Sequence, residues 1–340
     1  MVAELKDIII LGIETSCDET SAAVIKNGRE VLSNIVSSQI EIHKRFGGVV
    51  PEIASRNHIL AITNVVDEAV KLANIKLKDI TAIAVTYGAG LIGALLVGVS
   101  YAKALSYVLN IPLIKVSHIK GHIAANYIGN NDFIPPCICL VVSGGHTAIL
   151  KLEDDINHKY IGGTLDDAIG ESFDKVARAL SLSYPGGPII DKYAKNGTAN
   201  ITFTKKNELK NSYNISYSGL KTAVINYINT KEQKGEEINL PNICASFETE
   251  AIDGLIDKCM RACKEYKINK MCVAGGVAAN SYLRQKLTED CKERNIKLFI
   301  PQMSLCTDNA AMIAVAGYYN YINGVNTADL NLNAVSTIKL

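Results

Sequence analysis

The chain has 340 residues, with 35 lysines and arginines against 34 aspartates and glutamates, so its formal net charge is +1. A content of 48% hydrophobic and 20% charged residues is typical of a globular protein and excludes a disordered one. The balanced charge gives no global attraction to nucleic acid, so contact with RNA or DNA requires a local basic patch or a partner. The length predicts about two domains, and the nine cysteines indicate reduced thiols of a cytosolic protein rather than a disulfide scaffold.

The predicted elements alternate between strands and helices. In chain order we expect strands at residues 8–13, 21–25, 30–36, 80–85, 113–116, 138–142, 148–152 and 270–274. A long amphipathic helix is predicted over residues 54–73, and Asn27-Gly28 predicts a two-residue hairpin between the second and third strands. Residues 205–214 are expected to form an exposed loop.

The stretch from Thr81 to Ala102 contains no charged residue and is long enough to span a bilayer. Glycines at positions 88, 90, 93 and 98 interrupt it, however. We therefore expect a buried strand, a glycine turn and a buried helix rather than a membrane span.

A weak internal repeat divides the chain. ILGIETSCDETSAAVI, at 10–25, and CLVVSGGHTAILKL, at 139–152, share a layout of buried strand, small polar turn and second strand. Two similar halves of this kind predict two lobes that face a common cleft.

The histidines of SHIKGH form the first candidate site. His118 and His122 are four residues apart, so on a helix they share one face and can reach one metal ion. The third ligand would be a distant carboxylate, for which Asp308 is the candidate, although Asp308 or Thr307 can instead cap the following helix. The pair is also compatible with an ordinary surface or core position. Ile119 stands where a zincin protease would need glutamate, which disfavours that class.

Glycine-rich turns form the second candidate site. In Val141–Thr147 the glycines let backbone N–H groups approach an anion, while the alternative is an ordinary hairpin. The turn at Glu14–Thr20 is similarly rich in hydroxyls, and its acids, Glu14 and Asp18, are otherwise solvated loop residues. The AGGVAAN turn lets a ring or ribose pack on bare backbone, and Asn280 there either caps a helix or contacts a ligand.

Nine segments in this order, from about Gly12 to Met312, carry a family resemblance: GIETSCDETSAAV, GGVVPEIASRNH, SHIKGH, VSGGHT, GESFDK, YPGGP, SGLKT, AGGVAAN and CTDNAAM. Together they resemble the TsaD-type tRNA N6-adenosine threonylcarbamoyltransferases of bacteria. The resemblance implies an α/β fold of the two-lobed, actin-like ATPase class (sugar kinase, Hsp70 and actin) with an interlobe cleft. It implies an N-terminal lobe over 1–130, completed by helices from about 308–340, and a C-terminal lobe over 131–307.

The resemblance also implies the site residues. The metal ligands would be His118, His122 and Asp308, holding Fe²⁺ with Zn²⁺ as a substitute. The contacts to threonylcarbamoyl-adenylate, ATP or ADP would be Val141, Val142, Ser143, Gly144, Gly145, Asp174, Gly187, Asp191 and Asn280. Apart from the resemblance, Glu14 and Asp18 are the candidates for removing the amine proton.

The implied reaction is the transfer of threonylcarbamoyl from its adenylate to N6 of adenosine 37 in tRNAs that read codons starting with A, with release of AMP. The implied partners are tRNA, a TsaB-like paralogue, a TsaE-like ATPase and a separate synthase for the adenylate, in the cytoplasm and without a membrane. Because the chain has no basic excess, tRNA contact is expected around Lys44, Arg45 and Arg56 or on a partner. The rival functions are a small-molecule kinase of the same fold, a nucleotide-switched scaffold and, least favoured, a metalloprotease.

Overall fold

A computed structural model describes residues 7–204, 209 and 211–338 of the chain. The predicted loop at 205–214 lies partly outside these residues. In chain order the strands are β1 Ile9–Glu14, β2 Glu19–Lys26, β3 Glu30–Ser38, β4 Ala82–Gly88, β5 Leu113–Ser117, β6 Cys137–Val142, β7 Thr147–Leu152, β8 His158–Gly163, β9 Lys270–Ala274, β10 Lys297–Phe299 and β11 Thr327–Ala328. The helices are α1 Ile40–His43, α2 Pro51–Leu72, α3 Ile92–Leu109, α4 His118–Ala124, α5 Ile169–Ala179, α6 Gly186–Ala194, α7 Ser218–Gln233, α8 Leu240–Glu265, α9 Ser281–Glu293, α10 Met303–Cys306 and α11 Ala310–Ile322.

The chain divides into two units, one built from residues 1–133 and 301–340 and the other from 134–300. The sequence analysis placed the first boundary at 130 and the return to the first unit at about 308. In the first unit the sheet order is β11-β5-β4-β1-β2-β3. Strands β1, β4 and β5 are parallel, while β1, β2 and β3 form an antiparallel meander.

Helices cover both faces of the first sheet, and β1 points alternate side chains towards each face. Leu11 and Ile13 pack into a core with Ile62 of α2 and Val99 of α3. Gly12 points the other way, where an added Cβ would lie 2.4 Å from the carbonyl oxygen of Ala310 in α11. Only glycine permits this close approach of helix and strand.

Local signals explain several element boundaries. The β2–β3 hairpin turns at Asn27 and Gly28, whose φ angles are 52° and 76°, and this confirms the predicted hairpin. Lys26 pairs with Glu30, so three residues, 27–29, separate the strands instead of the predicted two. Helix α2 begins with Pro51 in its first turn. Helix α11 is capped by the side chain of Asn309, which accepts from the Met312 N–H at 3.1 Å. Of the two roles that the sequence left open for Asp308, capping of this helix is therefore not the one observed.

Helix α3 is long and apolar enough to cross a membrane by length and composition alone, and it is the one such helix among the described residues. A third of it is buried, along the face that carries Ala94, Leu95 and Val99. The prediction of a buried helix is thus confirmed for this face, whereas Leu96 and Val108 on the other face are exposed. A single helix of this kind is weak evidence for a membrane span.

In the second unit the sheet order is β10-β9-β6-β7-β8. Strands β6, β9 and β10 are parallel, and β6, β7 and β8 form an antiparallel meander. In each unit, therefore, the first strand of the meander has a parallel strand on its other side, and a second parallel strand lies beyond that one. This shared order gives a structural basis to the internal repeat in the sequence.

Candidate metal centre and candidate nucleotide site

The two histidines and the aspartate that the sequence singled out lie together in the first unit. Helix α4 begins at His118 directly after β5, so His122 follows one turn later on the same face. The Nε2 atoms of the two rings are 3.1 Å apart. Asp308 approaches from the segment before α11, with its Oδ1 3.2 Å from His122 Nε2 and 3.4 Å from His118 Nε2. Three potential ligand atoms therefore converge within 4.8 Å.

These distances fit a shared metal ion. Donors bonded to one ion at about 2.1 Å, in tetrahedral or octahedral geometry, lie about 3.0 to 3.4 Å apart. Two imidazoles and one carboxylate are the donor set of non-haem Fe²⁺ sites, and zinc accepts the same donors. The described residues thus provide half of an octahedral shell or three of four tetrahedral positions.

The charges around the cluster also favour a cation. Burial by itself would lower the pKa of His118, but the carboxylates of Asp308 and Glu14 raise it to about 9. Burial would likewise raise the pKa of Asp308, but the two imidazoles lower it to about 2. Both shifts show that this cluster favours a positive charge, which a divalent ion would supply.

Glu14, at the end of β1, contacts His118 through Nδ1, the ring nitrogen that does not face His122 and Asp308. Its side chain is fully buried, and its Oε2 lies 3.1 Å from His118 Nδ1 and accepts from the Thr86 hydroxyl at 2.7 Å. The backbone N–H of Ser16 donates to Oε1. Burial would raise the pKa of Glu14, but the charge and hydrogen bond of His118 lower it below its ordinary value. Oε2 thus contacts His118, while Oε1 is held by the backbone of Ser16.

Asp18 lies in the turn between β1 and β2 and is also buried. Its neighbour Glu19 has a pKa raised to about 9 by burial and by the charges of Asp308 and Asp18, and it accepts from the Ser38 hydroxyl. The sequence analysis missed Glu19 and the Thr86 contact. Thr86 is on another strand, 72 residues from Glu14, and no local spacing signals that pair.

The SGGH turn in the second unit is closed by its own hydrogen bonds. The backbone N–H of Ser143 donates to the carbonyl oxygen of His146 at 2.8 Å, and the Ser143 hydroxyl accepts from the His146 N–H at 3.0 Å. Gly144 and Gly145 are exposed, whereas the side chains of Val141 and Val142 are fully buried in the sheet. The two valines can therefore reach a ligand only through their backbone.

Two further glycines lie against this turn. A Cβ on Gly170, in the first turn of α5, would lie 2.7 Å from the Ser143 carbonyl oxygen. A Cβ on Gly275, directly after β9, would lie 2.3 Å from the Val142 carbonyl oxygen. The VSGGHT and AGGVAAN motifs are thus brought together as expected, while the contribution of Gly170 was missed.

The polar residues that are expected to contact the nucleotide form hydrogen bonds within the protein. Asp174 accepts from the Gly186 N–H at 2.7 Å, and Asp191 accepts from the N–H and hydroxyl of Ser281. Burial raises the pKa of Asp174. These two carboxylates tie α5 to the start of α6 and α6 to the start of α9. Gly187, beside the first of these bonds, has open space where a Cβ would project.

Asn280 caps α9, one of the two roles that the sequence left open for it. Its Oδ1 accepts from the Leu283 N–H at 2.8 Å, and its Nδ2 donates to Glu248 Oε1 at 2.6 Å. Glu248 is 4% exposed, and burial raises its pKa to about 7. No sequence signal points to this carboxylate, which comes from α8, 32 residues before its partner.

Comparisons with known proteins identify the family of this chain. The sequence model of the family TsaD, tRNA N6-adenosine threonylcarbamoyltransferase, matches residues 30–315. The chain is 55% identical over 337 residues to the tRNA N6-adenosine threonylcarbamoyltransferase of Clostridioides difficile, covering 99% of both chains. It is 55% identical over 333 residues to the protein of the same name from Clostridium perfringens, covering 98% of both.

Solved structures with similar folds are more distant in sequence. HypF of T. kodakarensis has a TM-score of 0.62 at 14% identity, covering 94% of this chain and 48% of that one. Component A of the Acidaminococcus fermentans (R)-2-hydroxyglutaryl-CoA dehydratase has a TM-score of 0.53 at 14% identity, covering 93% and 99%. These likenesses confirm the predicted actin-like ATPase fold.

Proposed function

Because this chain belongs to the TsaD family of tRNA N6-adenosine threonylcarbamoyltransferases and is a transferase that modifies tRNA, we propose the full reaction that follows. Its donor is threonylcarbamoyl-adenylate, and its acceptor is N6 of adenosine 37 in tRNAs that read codons starting with A. The observation that carries the proposal is the 55% identity over 99% of the chain to a curated transferase.

In this reaction the exocyclic amine forms a bond to the carbamoyl carbon, the bond from that carbon to the phosphate oxygen breaks, and AMP leaves. The amine also loses one proton. Since a mixed anhydride already contains a good leaving group, positioning and electrostatic stabilisation supply most of the rate enhancement. The exposed N–H groups of Gly144 and Gly145 are suited to the phosphate. Asp174, Gly187, Asp191 and Asn280 frame the adenosine, with Val141, Val142 and Ser143 contributing backbone.

His118, His122 and Asp308 would hold a divalent ion, for which we propose Fe²⁺, with Zn²⁺ as the alternative. When bound, the ion supplies Lewis-acid stabilisation of oxygen. Glu14 orients His118 through Nδ1, as carboxylates do behind metal-binding histidines, and we assign it this positioning role in place of proton removal. Asp18 is then the remaining candidate for accepting the amine proton.

We propose that the protein works in the cytoplasm with a TsaB-like paralogue and a TsaE-like ATPase, and that a separate synthase makes the adenylate. An apolar face supports the first partner. Ser55 of α2 lies against Gly93 of α3, and beside this contact Ile59, Ile92 and Leu96 are 63%, 42% and 38% exposed. Exposed apolar side chains grouped in this way are typical of protein interfaces.

Mass spectrometry of tRNA nucleosides from depleted cells tests the function. We expect threonylcarbamoyladenosine to disappear, to return with the wild-type gene and the Asp329→Ala variant, and not with Asp308→Ala. Asp329 is an exposed carboxylate of the same unit and serves as the matched control. Rescue by Asp308→Ala would favour a nucleotide-switched scaffold. ATP-dependent phosphorylation of a small molecule by the purified protein would favour the kinase.

Reconstitution tests the partners. The purified chain with adenylate and tRNA should transfer slowly, and addition of the two partner proteins should accelerate it. Rapid modification by the chain alone would refute the need for partners without affecting the assignment of the reaction.

A further inference from the structure

A basic cavity in the second unit is not used by the proposed reaction. It has a volume of about 550 Å³ and lies where α8 and α9 end and β9 and β10 begin. Arg261, Lys264, Lys267 and Arg294 surround an apolar floor that includes Met260 and Ile268. We refer to this site as the basic cavity.

The cavity concentrates positive charge in a chain whose formal net charge is +1. Lys264 and Lys267 are exposed and form no ion pair with any residue the structure describes. Arg294 makes long ion pairs of 3.8 Å and 3.7 Å with Asp290 and Glu293. Glu265, beside Arg261, is the one acidic residue between positions 258 and 270.

Helix chemistry explains part of this charge, since cations in the last turn stabilise the negative end of a helix dipole. Lys264 is in the last turn of α8. Arg294 is the C-cap of α9 and donates to the carbonyl oxygen of Asp290, in the last turn of that helix, at 3.0 Å. Lys267 follows Tyr266, the C-cap of α8, and lies outside both helices. The cavity therefore brings together the positive charges of two helix ends and that of Lys267.

Two of the three basic residues expected from sequence have acidic partners. Lys44 pairs with Glu41 at 2.5 Å, and Arg56 pairs with Glu52 at 2.6 Å, whereas Arg45 is exposed. The basic cavity has two exposed lysines without an ion pair among the described residues, and its lining contains no acidic residue, so it is the stronger candidate for an anionic partner.

The basic cavity is separate from the SGGH turn. Asn269 lines the cavity at the start of β9, while Gly275 touches the turn at the end of that strand. Five strand residues span about 17 Å at roughly 3.3 Å per residue.

We propose that the basic cavity docks the tRNA substrate through backbone phosphates, away from the reacting adenosine. Lys264, Lys267 and Arg294 contact phosphates at the rim, and the apolar floor accommodates the base of an unpaired nucleotide. This inference rests on the proposed function, because it takes tRNA as the anionic partner.

The test compares Lys264→Ala/Lys267→Ala with Lys44→Ala/Arg45→Ala, which removes the same charge at the surface expected from sequence. The dissociation constant for tRNA is measured between 50 and 200 mM salt, with full-length chain assembled with its partner proteins. We expect the first variant to bind tRNA about tenfold more weakly. The logarithm of its association constant should also fall less steeply with the logarithm of the salt concentration, with a slope shallower by about 1.8 for two lost phosphate contacts. Binding of ADP and the melting temperature should not change.

Equal weakening by both variants would overturn the proposal, since it would indicate general attraction rather than a site. Unchanged tRNA affinity in the first variant would also overturn it. If the wild-type complex binds tRNA but transfers nothing, the proposed function fails while the docking result stands.

Discussion

Glu248 offers a quantitative test of how burial controls this protein. Its carboxylate is 4% exposed, and one of its oxygens accepts from Asn280. Burial raises its pKa from 4.5 to about 7, and the charge of Asp191 acts in the same direction, although the Asn280 hydrogen bond opposes them. The perturbation is Glu248→Gln, which removes the titration and keeps an oxygen that can accept from Asn280.

The sign and size of the effect follow from proton linkage. Between pH 4.5 and 7 the folded protein binds a proton at Glu248 more tightly than the unfolded chain does, so the free energy of unfolding falls as the pH rises. A difference of about 2.5 pKa units at 1.36 kcal/mol each gives about 3 kcal/mol. This stability is present below pH 4.5, and the wild type has lost it above pH 7. The glutamine variant does not lose it.

Urea unfolding followed by circular dichroism at pH 5, 6, 7 and 8 measures the difference between variant and wild type. We expect this difference to grow in favour of the variant by about 2 to 3 kcal/mol across the series. Glu232→Gln, at an exposed position of α7, is the control and should follow the wild type. Parallel pH profiles for Glu248→Gln and the wild type would refute the reasoning.

Three further predictions concern the two sites. Glu14→Gln should weaken metal binding about 10- to 100-fold, because the carboxylate behind His118 is lost; competition with a chelator measures this, and unchanged affinity would contradict the positioning role. His122→Ala should abolish stoichiometric metal in elemental analysis while circular dichroism stays the same, and retained metal would show that the ion binds elsewhere. Gly170→Ala should lower the melting temperature and ADP affinity, because its Cβ would lie 2.7 Å from the Ser143 carbonyl oxygen. Gly219→Ala, where a Cβ meets open space, should change neither, and equal effects of the two substitutions would count against the turn contact.

The sequence predicted those features that depend on short spacing. His118 and His122 are four residues apart, so a single helical turn was enough to bring their rings together. The Asn27-Gly28 hairpin also depends on two adjacent residues, and the structure confirms it. Chain order alone was therefore sufficient for these elements.

Features that join distant segments were harder to foresee. Asp308 was a candidate, but its freedom to face the histidines depends on Asn309 capping α11 in its place. The contacts of Glu14 with Thr86 and of Glu248 with Asn280 join different elements, and no periodicity signals them. Tertiary packing decides which of several polar residues faces which partner.

The ion pairs of Lys44 and Arg56 follow from short spacing. Glu41 and Glu52 stand three and four residues earlier and pair with them. Residues at these spacings are neighbours on a helix. The basic cavity, by contrast, joins segments around positions 264 and 294 and becomes visible only in the fold.

The split of the first unit between residues 1–133 and 301–340 has a consequence for biosynthesis. Domains generally fold as units while the ribosome makes the chain, and the second unit, at 134–300, is complete before position 301 is translated. The first unit cannot complete its fold until residues 301–340 have been made, because α11 covers its sheet and Asp308 precedes that helix. The three candidate metal ligands therefore come together late in the life of each nascent polypeptide, only after Asp308 has been translated.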